Sequence, residues 1–185
     1  MISIRPATPA DVPAIQRITT ASPTAPHWTT EQFRDSIAAP TTDSVQRIVL
    51  IAEGDESRVE LEIDGFAVVS ALVSIYPIEA ELESIAVDPN HRGRGTGAAL
   101  LQAVEDWLAA LPSSGDAGTT LRLEVRTSNL PAIRLYRRSG FADVAIRPGY
   151  YANPLEDAIY MEKQIAPAMA RTSDGLMHSK APSAP

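Results

Sequence analysis

The chain has 185 residues, 44% hydrophobic and 21% charged, with mean hydropathy near zero, a composition that fits one globular domain with its own core. It holds no cysteine, which excludes disulfide scaffolds, thiolate metal centres and cysteine nucleophiles. A formal net charge of −7 argues against a nucleic-acid partner and is compatible with a basic peptide or amine.

His27, His91 and His178 are scattered without ligand spacing, so no metal site is expected. The amino-terminal MISIRPATPADVPAIQ has no basic region followed by an apolar run, so no secretory signal is read there. No apolar stretch approaches the roughly 18 residues a membrane span needs, and a cytoplasmic location without a membrane partner is expected.

In chain order, ISIRPAT alternates and predicts a first strand, followed by a short helix over PADVPAIQRITTA. HWTTEQFRDSIAA sets Trp28, Phe33 and Ile37 at helical spacing behind a Thr-x-Glu start, which predicts a capped second helix. QRIVLIAE and RVELEIDGFAVVSALVSIY are β-branched with period 2 and predict a strand, a turn and a long strand or hairpin. AELESIAV alternates again. AALLQAVEDWLAAL carries Leu100, Leu101, Val104, Trp107 and Leu108 on one helical stripe. LRLEVR alternates strictly. NLPAIRLYRRSG has an Asn cap, Pro in its first turn and a closing Gly140, and so reads as a helix. DAIYMEK supplies a last strand. APAMARTSDGLMHSKAPSAP lacks periodicity, so one α/β (α+β) unit over residues 1–165 and a disordered tail over 166–185 are expected.

HRGRGTGAAL packs three glycines and two arginines directly before the longest helix. Gly93-Arg94-Gly95-Thr96-Gly97-Ala98 matches Gly-x-Gly-x-x-Ala, but the dinucleotide fingerprint belongs to a first strand-helix turn with an acid closing the next strand. Here the glycines lie mid-chain, and the next strand carries its acid in the middle. A P-loop is excluded because no Lys-Ser or Lys-Thr follows. What remains is a strand, a loop written Arg92-x-x-Gly95-x-Gly97, and a helix amino-terminus. Such an arrangement offers backbone N–H groups to a pyrophosphate.

With these residues the chain resembles the GNAT superfamily of acetyl-CoA-dependent N-acetyltransferases, and in particular its ribosomal-protein alanine N-acetyltransferases (RimI type). Besides the glycine loop, HWTTEQFRDSI, EAELESIAVDP, LEVRTSNLPAIRLYRRSGF and GYYANPLEDAIYM follow the order and spacing of that group. The resemblance covers most of residues 2–163. It implies a mixed central sheet of about seven strands flanked by about four helices. It also implies acetyl-CoA as co-substrate and no metal. The acceptor it implies is a peptide or protein amino-terminus, such as that of a ribosomal protein; a small amine and a non-catalytic acyl-CoA-binding module are the alternatives. Glu83 and Ser84 depart from the pattern, as relatives often carry an apolar residue and Asn there.

From parity alone, Arg122, Glu124 and Arg126 form an exposed ladder of opposite charges on one strand face. The resemblance makes Glu124 the general base. Glu81 and Glu83, read on one face with Ile85 and Val87, are reserve bases acting through water, and Glu79 on that face is a candidate grip for the substrate amine. Tyr136 is the candidate acid, since a phenol with a pKa near 10 suits protonation of a departing thiolate. The resemblance assigns CoA contacts to Ile85, Ala86, Val87, Arg92, Gly93, Arg94, Gly95, Thr96, Gly97, Asn129 and Tyr136. A backbone N–H near Val87 would hold the acetyl carbonyl oxygen. Trp28, Tyr150 and Tyr151 are candidates to line the acceptor groove.

Overall fold

The computed structural model describes residues 2–26, 28–38, 44–54, 63–73, 77–112 and 118–167. The expected tail, from residue 168 on, and most of the segment GDESRVELEID lie outside them.

Seven strands form one mixed sheet: β1 (Ser3–Pro6), β2 (Val45–Glu53), β3 (Ile63–Leu72), β4 (Ile78–Val87), β5 (Thr119–Arg126), β6 (Ala142–Ala152) and β7 (Leu155–Ile165). Their order is β1-β2-β3-β4-β5-β7-β6. Among the described residues only β4 and β5 pair in parallel, because the helix between them carries the chain back across the sheet.

The first helix, α1 (Val12–Thr20), and the second, α2 (Thr30–Ala38), cover one face. Their apolar positions Ile15, Ile18 and Phe33 are fully buried against Ile51, Phe66 and Val68. Trp28, Phe33 and Phe66 follow one another at ring separations of 5.4 Å, so an aromatic column fixes the start of α2 to the sheet. The helices α3 (Thr96–Ala109) and α4 (Leu130–Arg138) lie on the other face. Leu100, Leu101, Val104 and Leu108 pack there with Leu121, Leu123, Val125 and Met161, as the helical stripe and the strict alternation of LRLEVR require. Asn129 caps α4, its Oδ1 accepting from the Ala132 N–H at 3.3 Å.

Two departures from regular pairing create the site. The β4–β5 ladder runs only from Ile78↔Thr119 to Glu81↔Arg122, although β4 continues to Val87 and β5 to Arg126. Beyond Glu81 the strands splay, and the β4 backbone groups that do not face β3 open into a cleft.

The second departure is a β-bulge. Val68 pairs with Ser84 and Val69 with Leu82, which leaves Glu83 as the extra residue of β4. The bulge reverses the parity of the strand. Leu82 packs with the α3 face, whereas Ala86 packs with the α1–α2 face and Ile85 and Val87 return to the α3 side. Glu81, opposite Ser70, therefore does not share a face with Ile85 and Val87, contrary to the alternation read from the sequence.

The strand β6 is the element the sequence pattern misses. Nearly all its residues are exposed, it contains Pro148 and Gly149, and it shows register shifts near Asp143 and between Arg147 and Tyr151. An edge strand with that composition carries no period-2 signal.

Candidate active site

The splay and the glycine loop bound a cleft of about 460 Å³, the donor-side cavity. Its walls are Ile85, Ala86 and Val87 of β4, the loop after β4, and the face of α4 bearing Asn129, Ala132 and Tyr136. Gly93 and Gly95 have φ of 76° and 89°, a left-handed conformation that side chains disfavour. Gly97 lies close to α4: a Cβ there would stand 3.1 Å from Leu135 Cδ2. The first hydrogen bond of α3 runs from Ala99 N–H to Gly95 O, which leaves the N–H groups of Thr96, Gly97 and Ala98 without helical acceptors. The Thr96 hydroxyl is buried with no hydrogen-bond partner among the described residues, and Thr96 lines the same cleft.

Arg92 braces this loop. Its Nε donates to the Val87 carbonyl at 3.2 Å and its Nη2 to Ser22 Oγ at 3.2 Å. Asn129 Nδ2 donates to Thr24 Oγ1 at 3.3 Å. The segment from Ser22 to Pro26 thus joins the two lips of the cleft, and nothing in its pattern signals that role. Arg94 is exposed and does not line the cleft, whereas Arg134 and Arg138 of α4 do, without an ion-pair partner among the described residues.

A second cavity of about 590 Å³ opens on the α2 side, lined by Trp28, Asp35, Arg47, Glu81 and Tyr150 among others. The two cavities share Pro26, Leu82, Glu83, Glu124 and Tyr151. Glu124 therefore stands at their junction, which its place on an alternating charged face could not reveal.

Each acid has a different environment. Glu124 Oε1 is 2.6 Å from Arg147 Nη1, and Glu83 Oε1 is 2.6 Å from Arg47 Nη2. Glu81 has no ion pair among the described residues. Partial loss of water around its carboxylate raises its pKa, and the charges of Glu124 and Glu83 add to the rise. Glu79 does not grip the groove: its two oxygens are taken by Arg122 at 2.7 and 2.8 Å, and it lines neither cavity.

Tyr136 is buried, its ring 5.7 Å from that of Phe141, and it lines the donor cleft. Burial pushes its hydroxyl pKa well above the ordinary value, which keeps the proton in place. Tyr151 lies under the Arg126 guanidinium at 4.0 Å, and burial raises its pKa to about 12. Tyr150 packs edge-on to Tyr151 at 5.0 Å. Among the described residues no group of three or more His, Asp or Glu side chains is placed to hold a metal, and no helix is long and apolar enough to cross a membrane.

Comparisons with known proteins agree with this geometry. The chain is 41% identical over 100 residues to an uncharacterised protein of Mycobacterium leprae, spanning 26% of that protein. It is 38% identical over 99 residues to the N-alpha-acetyltransferase RimI of Mycobacterium tuberculosis, covering 54% of this chain and 58% of that one. With the [ribosomal protein bS18]-alanine N-acetyltransferase of Escherichia coli it shares 40% identity over 109 residues, covering 58% of this chain and 70% of the relative. The crystal structure of the ribosomal-protein-S18-alanine N-acetyltransferase from E. coli superposes with a TM-score of 0.66 over 91% of this chain and 96% of that one, at 30% identity. Residues 14–141 match the sequence profile of the acetyltransferase (GNAT) family, and the chain belongs to that family.

Proposed function

We propose that residues 1–165 form an acetyltransferase domain that moves the acetyl group of acetyl-CoA directly to a primary amine, foremost the α-amine of a protein amino-terminus. The observation that carries this reading is the junction of two cavities at Glu83, Glu124 and Tyr151. Direct transfer in a ternary complex needs donor and acceptor to meet at one point from separate entrances. The names of the M. tuberculosis and E. coli relatives support an amino-terminal acceptor, with the alanine of ribosomal protein bS18 as the first candidate. Such an acceptor places the reaction in the cytoplasm.

The residues present fit the donor. Gly93 and Gly95 leave the loop open, three N–H groups lack helical acceptors, and Thr96 offers a buried hydroxyl with no partner among the described residues, a donor set suited to a pyrophosphate. Acetyl-CoA supplies a thioester-activated acetyl group. Glu124 accepts the proton of the acceptor ammonium or amine. An α-amine with a pKa of about 7.7–8.0 needs only modest help from a carboxylate. Glu81 is the reserve base, reaching the amine through water, and Glu83 serves the same reserve role beside Arg47. Tyr136 holds a proton for the departing sulfur, and a β4 N–H near Val87 polarises the acetyl carbonyl. Trp28, Tyr150 and Tyr151 shape the acceptor groove.

A small-molecule amine is the second acceptor class. The observation favouring it is the excess of carboxylates, Asp35, Glu81, Glu83 and Glu124, over Arg47 on the groove lining. Acetyl-CoA turnover against a panel of amino-terminal peptides and small amines, read by mass spectrometry, separates the two. Acetylation of the peptide α-amine is expected; acetylation of small amines alone would leave only the second reading.

A further inference from the structure

We propose that Arg147 is a positioning residue for Glu124: it fixes one carboxylate oxygen, leaves the other for the acceptor amine, and ties that orientation to the aromatic wall of the groove. The inference rests on Glu124 being the base.

Arg147 projects from β6, a different lip of the site from β5, which carries Glu124. Its Nη1 lies 2.6 Å from Glu124 Oε1 and is the carboxylate's one ion-pair partner among the described residues. The same guanidinium lies over the Tyr160 ring at 4.6 Å and 5.8 Å from the centroid of Tyr150. Tyr150 lines the acceptor groove. One planar cation therefore contacts both the proposed base and the surface an acceptor would press against. Stacked on the Tyr160 ring, the half-exposed guanidinium meets Glu124 through Oε1, and that contact would set where Oε2 points.

A carboxylate at this point needs such a partner. Glu81 and Glu83 approach from β4, and only Glu83 has its own cation, Arg47. Tyr150 and Tyr151 of β6, Tyr160 of β7 and Tyr136 of α4 complete the titratable surroundings. Arg126 of β5 is committed to Glu156 and to the Tyr151 ring. Without Arg147, Glu124 would have no ion-pair partner among the described residues, and Glu81 would lose one of the two arginine charges that oppose the rise in its pKa. The β6–β7 hairpin does not depend on Arg147, because its main-chain register extends on both sides of that residue.

The test compares Arg147→Gln, Arg147→Lys and Glu124→Gln in the full chain, with acetyl-CoA and an acetylatable amino-terminal peptide. Acetyl-CoA binding is followed separately by thermal shift, which also reports folding. Arg147→Gln is expected to lower kcat by about tenfold or more, with KM for acetyl-CoA nearly unchanged, since a misaimed carboxylate costs rate and not donor affinity. Arg147→Lys should recover part of kcat. The proposal is overturned if Arg147→Gln keeps kcat within about twofold while Glu124→Gln is inactive. It is also overturned if Arg147→Lys is as impaired as Arg147→Gln. Full activity in Glu124→Gln would instead remove the reading of Glu124 as base, and this inference with it.

Discussion

Glu81 and Arg122 form the last rung that joins β4 to β5, and both cavities open just past it. Two residues later β4 bulges at Glu83, so a parallel pair that is continuous in sequence pattern becomes a cleft in the fold. The splay exposes main-chain donors on the cleft side, while the bulge turns Glu83 to where it lines both cavities. The chemistry proposed for the chain depends on that one interruption of the ladder.

The glycine loop gives the first prediction. Gly95 has φ of 89° and open space around it, so Gly95→Ala meets no clash but forces a side chain into a left-handed conformation. Strain of about 1–2 kcal/mol should lower thermal stability. Relaxation of the loop should also weaken acetyl-CoA binding by about tenfold, measured by calorimetry. Unchanged affinity would mean the loop does not hold the pyrophosphate.

Much of this was legible in the sequence because it depends on local signals. The stripe Leu100, Leu101, Val104 and Leu108, the alternation of Leu121, Leu123 and Val125, and the Asn129 cap each follow from period or from a capping side chain. The glycine loop was legible because glycine at three of five positions around a helix start has few other uses. The Glu83 bulge was not, since inserting one residue into a strand leaves composition unchanged and reverses parity from then on. Nor was β6, whose exposed residues have no buried face to create a pattern. Arg147, Ser22 and Thr24 owe their places to partners 23 to 105 residues away in the chain, which no local window can contain.

The pH dependence of Glu81 has a definite sign. Its folded-state pKa is raised, so the folded chain binds a proton more tightly than the unfolded chain does. Its contribution to stability therefore falls as pH rises from 4.5 through the raised value. Glu81→Gln should flatten that part of the Tm–pH curve and make the protein slightly more heat-stable at neutral pH. A steeper loss of Tm in the variant would contradict the assignment. Turnover in Glu81→Gln should stay well above that of Glu124→Gln, as befits a reserve base.

Arg134 and Arg138 stand one turn apart on α4, flanking Leu135, which packs on the first turn of α3 beside Gly97. With no carboxylate partner among the described residues, both are placed to meet a phosphate that extends past the glycine loop. Replacing both by Gln should weaken binding of CoA by about tenfold and leave binding of dephospho-CoA nearly unchanged. Equal weakening of the two ligands would assign these arginines to the pyrophosphate instead. NAD should not stabilise either protein in the same thermal-shift assay.

In the reaction proposed, Glu124 at the junction of the two cavities and Tyr136 on the donor cleft carry the two proton transfers. The most direct measurement is single-turnover acetylation of an amino-terminal peptide by the Glu124→Gln/Tyr136→Phe variant, paired with calorimetric binding of acetyl-CoA. Loss of turnover by about 10²-fold or more with donor affinity retained is the expected result. Turnover close to that of the unmodified chain would contradict it.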